Sequence, residues 1–344
     1  MDVGEFVKQM PKVELHVHLE GSIRPRTLLE LASRHGEPLP ARTVEELREW
    51  YRFRDFDHFV EIYLSAARCL RTPEDIERIT RDFLEGQAEQ NVLHSEVTYT
   101  ASTQLQFAGI PLDEQLDAIN TAREAARRDL DVTMSLTIDY ARHMDPAAFV
   151  PVAEWAADNM GNGISALGLG GPEHGYPPEL FVRAFAVARE AGLPSAPHAG
   201  ETAGAESIRG ALRALDAVRI GHGVRCLEDP SLVAELRDRQ IPLEVCPTSN
   251  VCLGVAPSFE DHPLPRLREA GLYVTVNSDD PPMFGTTLTD EYLKAVAAFD
   301  FGPGDLRELV MAAASATFLD PGARSELEDR VRQGFSGLDC AVGP

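Results

Sequence analysis

At 344 residues, 44% apolar and 25% charged, the chain has the balance of a globular protein with a large core, which excludes a disordered or fibrous class. Its 55 acidic residues against 32 basic ones leave a net charge of −23, and no basic block stands out, so nucleic acid and an anionic membrane surface are excluded as partners and a small neutral or cationic ligand is favoured. No apolar run reaches the roughly 18 residues of a membrane span and the first residues lack a basic, apolar leader, which points to a cytoplasmic protein. Cys69, Cys226, Cys246, Cys252 and Cys340 are scattered without a paired motif and read as reduced, mostly buried thiols.

The first expected element is the strand "KVELHVHL" at 12–19, where His16 and His18 stand two apart. Side chains i and i+2 of a strand share a face, so the two imidazoles can converge on one point. Residues 26–89 then read as several consecutive helices, including "RTLLELASRHG" and "TPEDIERITRDFLEGQAEQ", an insertion placed to act as a lid, with Phe53, Phe56 and Phe59 as an apolar wall. From residue 92 onward, short apolar or β-branched runs alternate with amphipathic helical stretches. The runs fall at 92–100, 132–139, 164–170, 193–200, 218–223, 241–247 and 272–280. With the first, this makes eight strands separated by helices, the pattern of a (β/α)8 barrel. No linker, internal repeat or low-complexity segment divides the chain, so residues 1–344 are expected to form one domain, with the helical insertion between strands one and two.

In a barrel the C-terminal strand ends share one mouth. The polar residues at those ends are His16 and His18, then His198 and Glu201, His222, and Asp279 with Asp280. His16, His18, His198 and Asp279 supply three nitrogens and one oxygen, a set that suits one zinc ion with an open position for water. A second metal would need a bridging lysine, and the fourth run, "ISALGLG", has none; the only lysines are Lys8, Lys12 and Lys294. Zinc lowers the pKa of bound water to about 7. His222 is then free to orient that water or accept its proton, Glu201 to act as general acid, and Asp280 to accept a hydrogen bond from substrate or water. Together these groups describe hydrolytic attack on an unsaturated C–N centre. The His94-Ser95-Glu96 triplet formally matches the HxE of the other zinc deaminase class, but no PCxxC follows it.

The order of "ELHVHLEGS", "HAGE", "RIGHG", "VCPTSNVCLG" and "NSDDPPMFGTTLTDEY" resembles the adenosine deaminase family of the amidohydrolase superfamily over residues 10–320. The resemblance implies a (β/α)8 barrel with one zinc on His16, His18, His198 and Asp279, and deamination of a 6-aminopurine. It also implies that Glu201 protonates purine N1, His222 orients the nucleophile, Asp280 faces the imidazole edge and the Gly171 backbone binds N3. Three departures bear on the substrate. Glu20 replaces an aspartate that faces ribose, Gly168 and Pro172 stand where acids are usual, and "EVTYTAS" lacks the arginine of the second strand. His174 and Tyr176 add polar groups to the pocket or serve the loop. The expected substrate is adenosine or a 5′-modified adenosine such as aminodeoxyfutalosine, with free adenine as the alternative that Glu20 permits. A cyclic amide or ester hydrolase fits less well, because such a substrate has no ring nitrogen for Glu201 to protonate. A non-enzymatic binding protein on the same fold would be expected to have lost one of these groups.

Overall fold

On the first strand, even-numbered side chains are polar and odd-numbered ones apolar, yet all are buried: Lys12, Glu14, His16 and His18 on one face, Val13, Leu15 and Val17 on the other. Such a strand has no solvent face, which is the condition for a parallel sheet covered by helices. The computed structural model, which describes residues 2–339, contains eight such strands: β1 (Lys12–His18), β2 (Val92–Tyr99), β3 (Thr133–Ile138), β4 (Ile164–Leu167), β5 (His198–Ala199), β6 (Ile220–His222), β7 (Leu243–Val245) and β8 (Val274–Val276).

The strands pair in parallel as two four-stranded sheets, β1-β2-β3-β4 and β5-β6-β7-β8. Single parallel bridges join their edges, Leu167 with Ser195 on one side and Val17 with Asp279 on the other. At the second junction the His18 N–H donates to the Asp279 carbonyl at 2.9 Å and the Asp279 N–H to the His16 carbonyl at 3.2 Å, so the first and last strands meet at the residues expected to act. All eight expected runs contain a strand, but the run at 193–200 yields only His198 and Ala199, because Pro194 and Pro197 have no N–H for a ladder.

Four helices lie between β1 and β2: Pro25–His35, Val44–Trp50, Phe56–Ala67 and Pro73–Glu89. Thr43 and Thr72 start two of them through reciprocal bonds with Glu46 and Asp75. The Pro73–Glu89 helix packs against β2 and the Leu112–Asp129 helix, as a covering helix of the sheet does. Two apolar clusters surround the strands. One gathers Val97, Leu136, Ile164 and Leu167 with the helices after β1, and the other gathers Ile220, Leu243, Val274 and Val276 with the helices after β5.

Among the described residues no helix is long and apolar enough to cross a membrane. Cys69, Cys226 and Cys246 are buried free thiols, whereas Cys252 is exposed; Cys340 lies outside the described residues.

Candidate active site

β1 delivers His16 and His18, β5 delivers His198, β6 ends on His222, and Asp279 and Asp280 follow β8. Their rings and carboxylates meet at one end of the strands. His18 Nε2 lies 3.2 Å from His198 Nε2. Asp279 Oδ1 is 3.3 Å from His18 Nε2 and 3.6 Å from His16 Nε2, while Asp279 Oδ2 and Glu201 Oε1 are each 3.7 Å from His222 Nε2. His222 and Asp279 have φ of +60° and +65°, a backbone region that costs a non-glycine residue about 1 kcal/mol or more and that concentrates at functional sites.

The metal-ligand reading can be tested on the donor atoms. The His16, His18 and His198 nitrogens converge within 4.8 Å of one another, and His16 Nε2 is buried without a hydrogen-bond partner. His16 Nδ1 donates to Glu244 Oε2 at 2.8 Å and Nε2 faces Asp279; burial would lower the ring's pKa, but the bonds to Asp279 and Glu244 outweigh it and raise it to about 10, so a cation bound here would take the place of the proton on Nε2. Burial holds His18 and His198 low, His18 at about 4, and so keeps both as neutral rings with a free lone pair. Burial would raise the Asp279 carboxyl, but the His16 bond and the surrounding imidazoles outweigh it and keep it ionised. Three neutral-capable nitrogens and an ionised carboxylate fit a divalent cation. Cys246 also lies near His16, but its buried thiol is pushed well above its ordinary pKa and donates to the Glu244 carbonyl.

Behind His16 runs a buried relay. Arg219, 1% exposed, bonds Glu244 through Nε and reaches Glu96 at 2.6 Å, with its guanidinium 3.9 Å from the Phe318 ring centroid. Glu96 therefore belongs to the support of His16, and His94 bonds Thr133 Oγ1 at 2.9 Å; the HxE triplet is structural.

Glu201 is 5% exposed. Burial, then the charges of Asp279 and Glu173, push its carboxyl well up, the protonated form a general acid needs. Its loop is held by Glu173, which the sequence reading missed. One carboxylate oxygen accepts from the N–H groups of Glu201 (2.9 Å), Thr202 (2.8 Å) and Ala203 (3.1 Å), and the other from Gly200 (2.9 Å) and the Ser207 hydroxyl. Arg142, fully buried, donates to the His198 carbonyl at 2.5 Å and to that of Tyr176 at 2.7 Å. Burial, then Asp279's charge, raise Asp280 well above a normal carboxyl.

His18, His198, Glu201, His222, Asp279 and Asp280 floor a cleft. Phe56, Phe59, Val60 and Leu64 wall it on the side of the Phe56–Ala67 helix, and Gly170, Gly171, His143 and Asp139 on the other. Phe53 is not in that wall; it packs behind, on Phe59 and Phe284. His174 bonds the Thr202 carbonyl at 3.0 Å, and neither it nor Tyr176 lines the cleft, so both serve the loop. Glu20 is fully buried beneath the lining, where its Oε1 accepts the Thr100 N–H at 3.0 Å. Burial raises its pKa to about 7.

Asp139, directly after β3, is the acid the sequence reading passed over. It is 3% exposed, its Oδ1 has no hydrogen-bond partner, and burial followed by Glu20's charge raises it to about 7. A Cβ on Gly168 would sit 2.9 Å from Asp139 Oδ1, and one on Gly170 would sit 2.7 Å from Oδ2. The glycine that departs from the usual family pattern is thus the space that Asp139 fills.

The chain matches the adenosine deaminase family over residues 11–334. It is 38% identical to the aminodeoxyfutalosine deaminase of Streptomyces coelicolor over 332 residues, covering 96% of this chain and 86% of that one. In structure it is similar to an adenine deaminase from Arthrobacter aurescens, with a TM-score of 0.90, 34% identity and coverage of 95% and 99% of the two chains. It is also similar to an amidohydrolase from Burkholderia ambifaria solved with bound Zn, with a TM-score of 0.90, 27% identity and coverage of 98% and 94%. With residues 11–334 matched, the chain belongs to the adenosine deaminase family.

Proposed function

We propose that the protein is a zinc-dependent aminohydrolase that converts a 6-aminopurine nucleoside, adenosine or a 5′-modified adenosine such as aminodeoxyfutalosine, to the 6-oxopurine and ammonia. The observation that carries this reading is the convergence of His16, His18, His198 and Asp279 beside a buried Glu201 whose carboxyl is pushed up by burial and by the charges of Asp279 and Glu173. The Streptomyces relative, named as an aminodeoxyfutalosine deaminase, supports the substrate class. In this reading the two sheets close into one (β/α)8 barrel through the Val17–Asp279 and Leu167–Ser195 bridges, the chain is a single domain, and the helices from Pro25 to Ala67 form a lid. Free thiols at the described cysteines suit a reducing, cytoplasmic setting.

His16, His18, His198 and Asp279 would hold one zinc ion, which when bound activates a water as nucleophile. Glu201 donates its proton to purine N1 as the water oxygen adds to C6, so that negative charge does not build on the ring. His222 orients the water from the side of Asp279 and Glu201, Asp280 faces the imidazole edge, and the Gly171 N–H binds N3. The water's two hydrogens balance the reaction: as the adduct collapses to the 6-oxo product one leaves with the amino group as ammonia and the other restores Glu201, whose own proton stays on N1. Asp139 lies on the Gly171 side of the cleft and bears on what is attached beyond the purine.

A second reading, deamination of free adenine, is favoured by Glu20, whose carboxylate is engaged by the Thr100 N–H and lies beneath the lining instead of opening toward a ribose. Ammonia release from adenosine, aminodeoxyfutalosine and adenine, measured side by side on zinc-loaded protein, tests both. A preference of 10²-fold or more for either nucleoside supports the first reading and a like preference for adenine the second; no release from any of the three would overturn the aminohydrolase assignment.

A further inference from the structure

Which ring nitrogen of His222 carries the hydrogen decides whether Nε2, the atom 3.7 Å from both Glu201 and Asp279, gives or takes a hydrogen bond. The answer follows from a chain of buried contacts on the far side of the ring. His222 Nδ1 is 3.3 Å from Asn250 Nδ2, Asn250 Oδ1 is 3.0 Å from His262 Nε2, and His262 Nδ1 is 3.1 Å from the backbone nitrogen of Leu264.

The Leu264 N–H fixes the direction, because a backbone amide can only donate. His262 Nδ1 must therefore accept. The ring is 3% exposed and burial lowers its pKa to about 4, so it is neutral and carries its single hydrogen on Nε2. That hydrogen points at Asn250, whose oxygen must accept it, and the amide is thereby turned with its NH2 toward His222 Nδ1. Asn250 has little freedom to reverse. It is fully buried, its N–H donates to the Cys246 carbonyl at 3.0 Å, and its carbonyl accepts from Val255 and Ala256 at 2.8 and 2.9 Å.

We propose that Leu264, His262 and Asn250 form a tautomer lock that keeps the hydrogen of His222 on Nε2, so that His222 serves the reaction as a hydrogen-bond donor to the attacking oxygen and not as the acceptor of its proton. Asn250 and His262 are positioning residues: neither lines the cleft. The inference rests on the aminohydrolase reading for its consequence but not for its geometry.

Two measurements test it. Long-range proton–nitrogen correlation spectra of zinc-loaded protein with 15N-labelled histidine should show His222 with hydrogen on Nε2 and a bare Nδ1; hydrogen on Nδ1 would overturn the lock. Asn250→Asp keeps the shape and the bond from His262 but presents an acceptor to Nδ1, so the His222 hydrogen should move there. With zinc content and KM retained, kcat should fall by about 10²–10³-fold, the loss usual for one donor at a reacting oxygen. A moved hydrogen with unchanged kcat would overturn the donor role. The spectra do not depend on any substrate, so a protein that released no ammonia would sink the aminohydrolase reading while the tautomer was still decided.

Discussion

Replacing Glu173 by glutamine should loosen the loop that carries Glu201 without touching the cleft. In the native protein four backbone N–H groups, those of Gly200, Glu201, Thr202 and Ala203, point at one carboxylate. In Glu173→Gln the amide oxygen can keep the three N–H bonds on its side, while the NH2 group turns on the Gly200 N–H and leaves it unpaired. Losing the charge costs about 1 kcal/mol for each of the three retained bonds, and one unpaired buried donor costs ~1–3 kcal/mol, so the variant should be destabilised by about 4–6 kcal/mol. Urea unfolding at pH 7 measures this directly. Burial would raise the Glu173 carboxyl, but the Ser207 hydroxyl, the Arg142 charge and the backbone N–H groups outweigh it and hold its pKa below the ordinary value. A depressed carboxyl stabilises the fold above its unfolded pKa of about 4.3 and loses that contribution as pH falls through its folded value, so the gap between the two proteins should narrow on acidification. Zinc should stay bound, and kcat should drop because Glu201 is no longer held. A variant as stable and as active as the parent would refute the role given to these bonds.

Other substitutions probe the remaining parts. Glu201→Gln should keep zinc and substrate binding but lower kcat by about 10²-fold or more, the usual share of a general acid; near-normal ammonia release would remove Glu201 from that role. A Cβ added at Gly21 would fall 1.6 Å from Asp280 Oδ1, so Gly21→Ala should displace Asp280 and destabilise by ~1–3 kcal/mol, with kcat/KM falling while zinc content is kept. Parent-like kcat/KM would contradict the place given to Asp280. Lys12 is fully buried, its ammonium held by the Met10 and Gln90 carbonyls at 3.0 and 2.9 Å, and burial lowers its pKa to about 7. Between pH 7 and about 10 the unfolded chain binds the proton that the folded chain has released, so stability should rise with pH by at most about 5 kcal/mol from this group. Lys12→Met should flatten that slope in urea unfolding at pH 7, 8 and 9, and an unchanged slope would contradict it.

The sequence was most legible where chemistry and period coincide. Alternation marked β1, and the rule that strand ends share one mouth brought His198, His222 and Asp279 together, as the structure has them, although β5 and β6 are only two and three residues long. The same rule covers Asp139, which ends the run at 132–139 as His222 is followed by one residue in its own, yet a lone aspartate after "TI" draws no notice until Gly168 and Gly170 are seen against it. Glu173, Arg142 and the Arg219–Glu244 pair were out of reach for a different reason. They act through backbone groups or through partners 25 or more residues away, and no local spacing encodes that. Asn250 and His262 are only 12 residues apart, but their meaning depends on which hydrogen each ring and amide carries, which the Leu264 N–H decides only in three dimensions. The wall of the cleft was half legible: Phe56 and Phe59 line it, while Phe53, read with them, turns to Phe284 because it lies in the loop before the Phe56–Ala67 helix and does not share that helix's face.

The central claim is that one metal ion, held by His16, His18, His198 and Asp279, drives deamination. The most direct measurement is a zinc titration of chelator-stripped protein in which bound metal and ammonia release are read on the same samples. Activity should rise in proportion to zinc and level off at about one ion per chain, and His198→Ala should lose both together. Activity that survived complete removal of metal, or that required a second ion, would contradict the account.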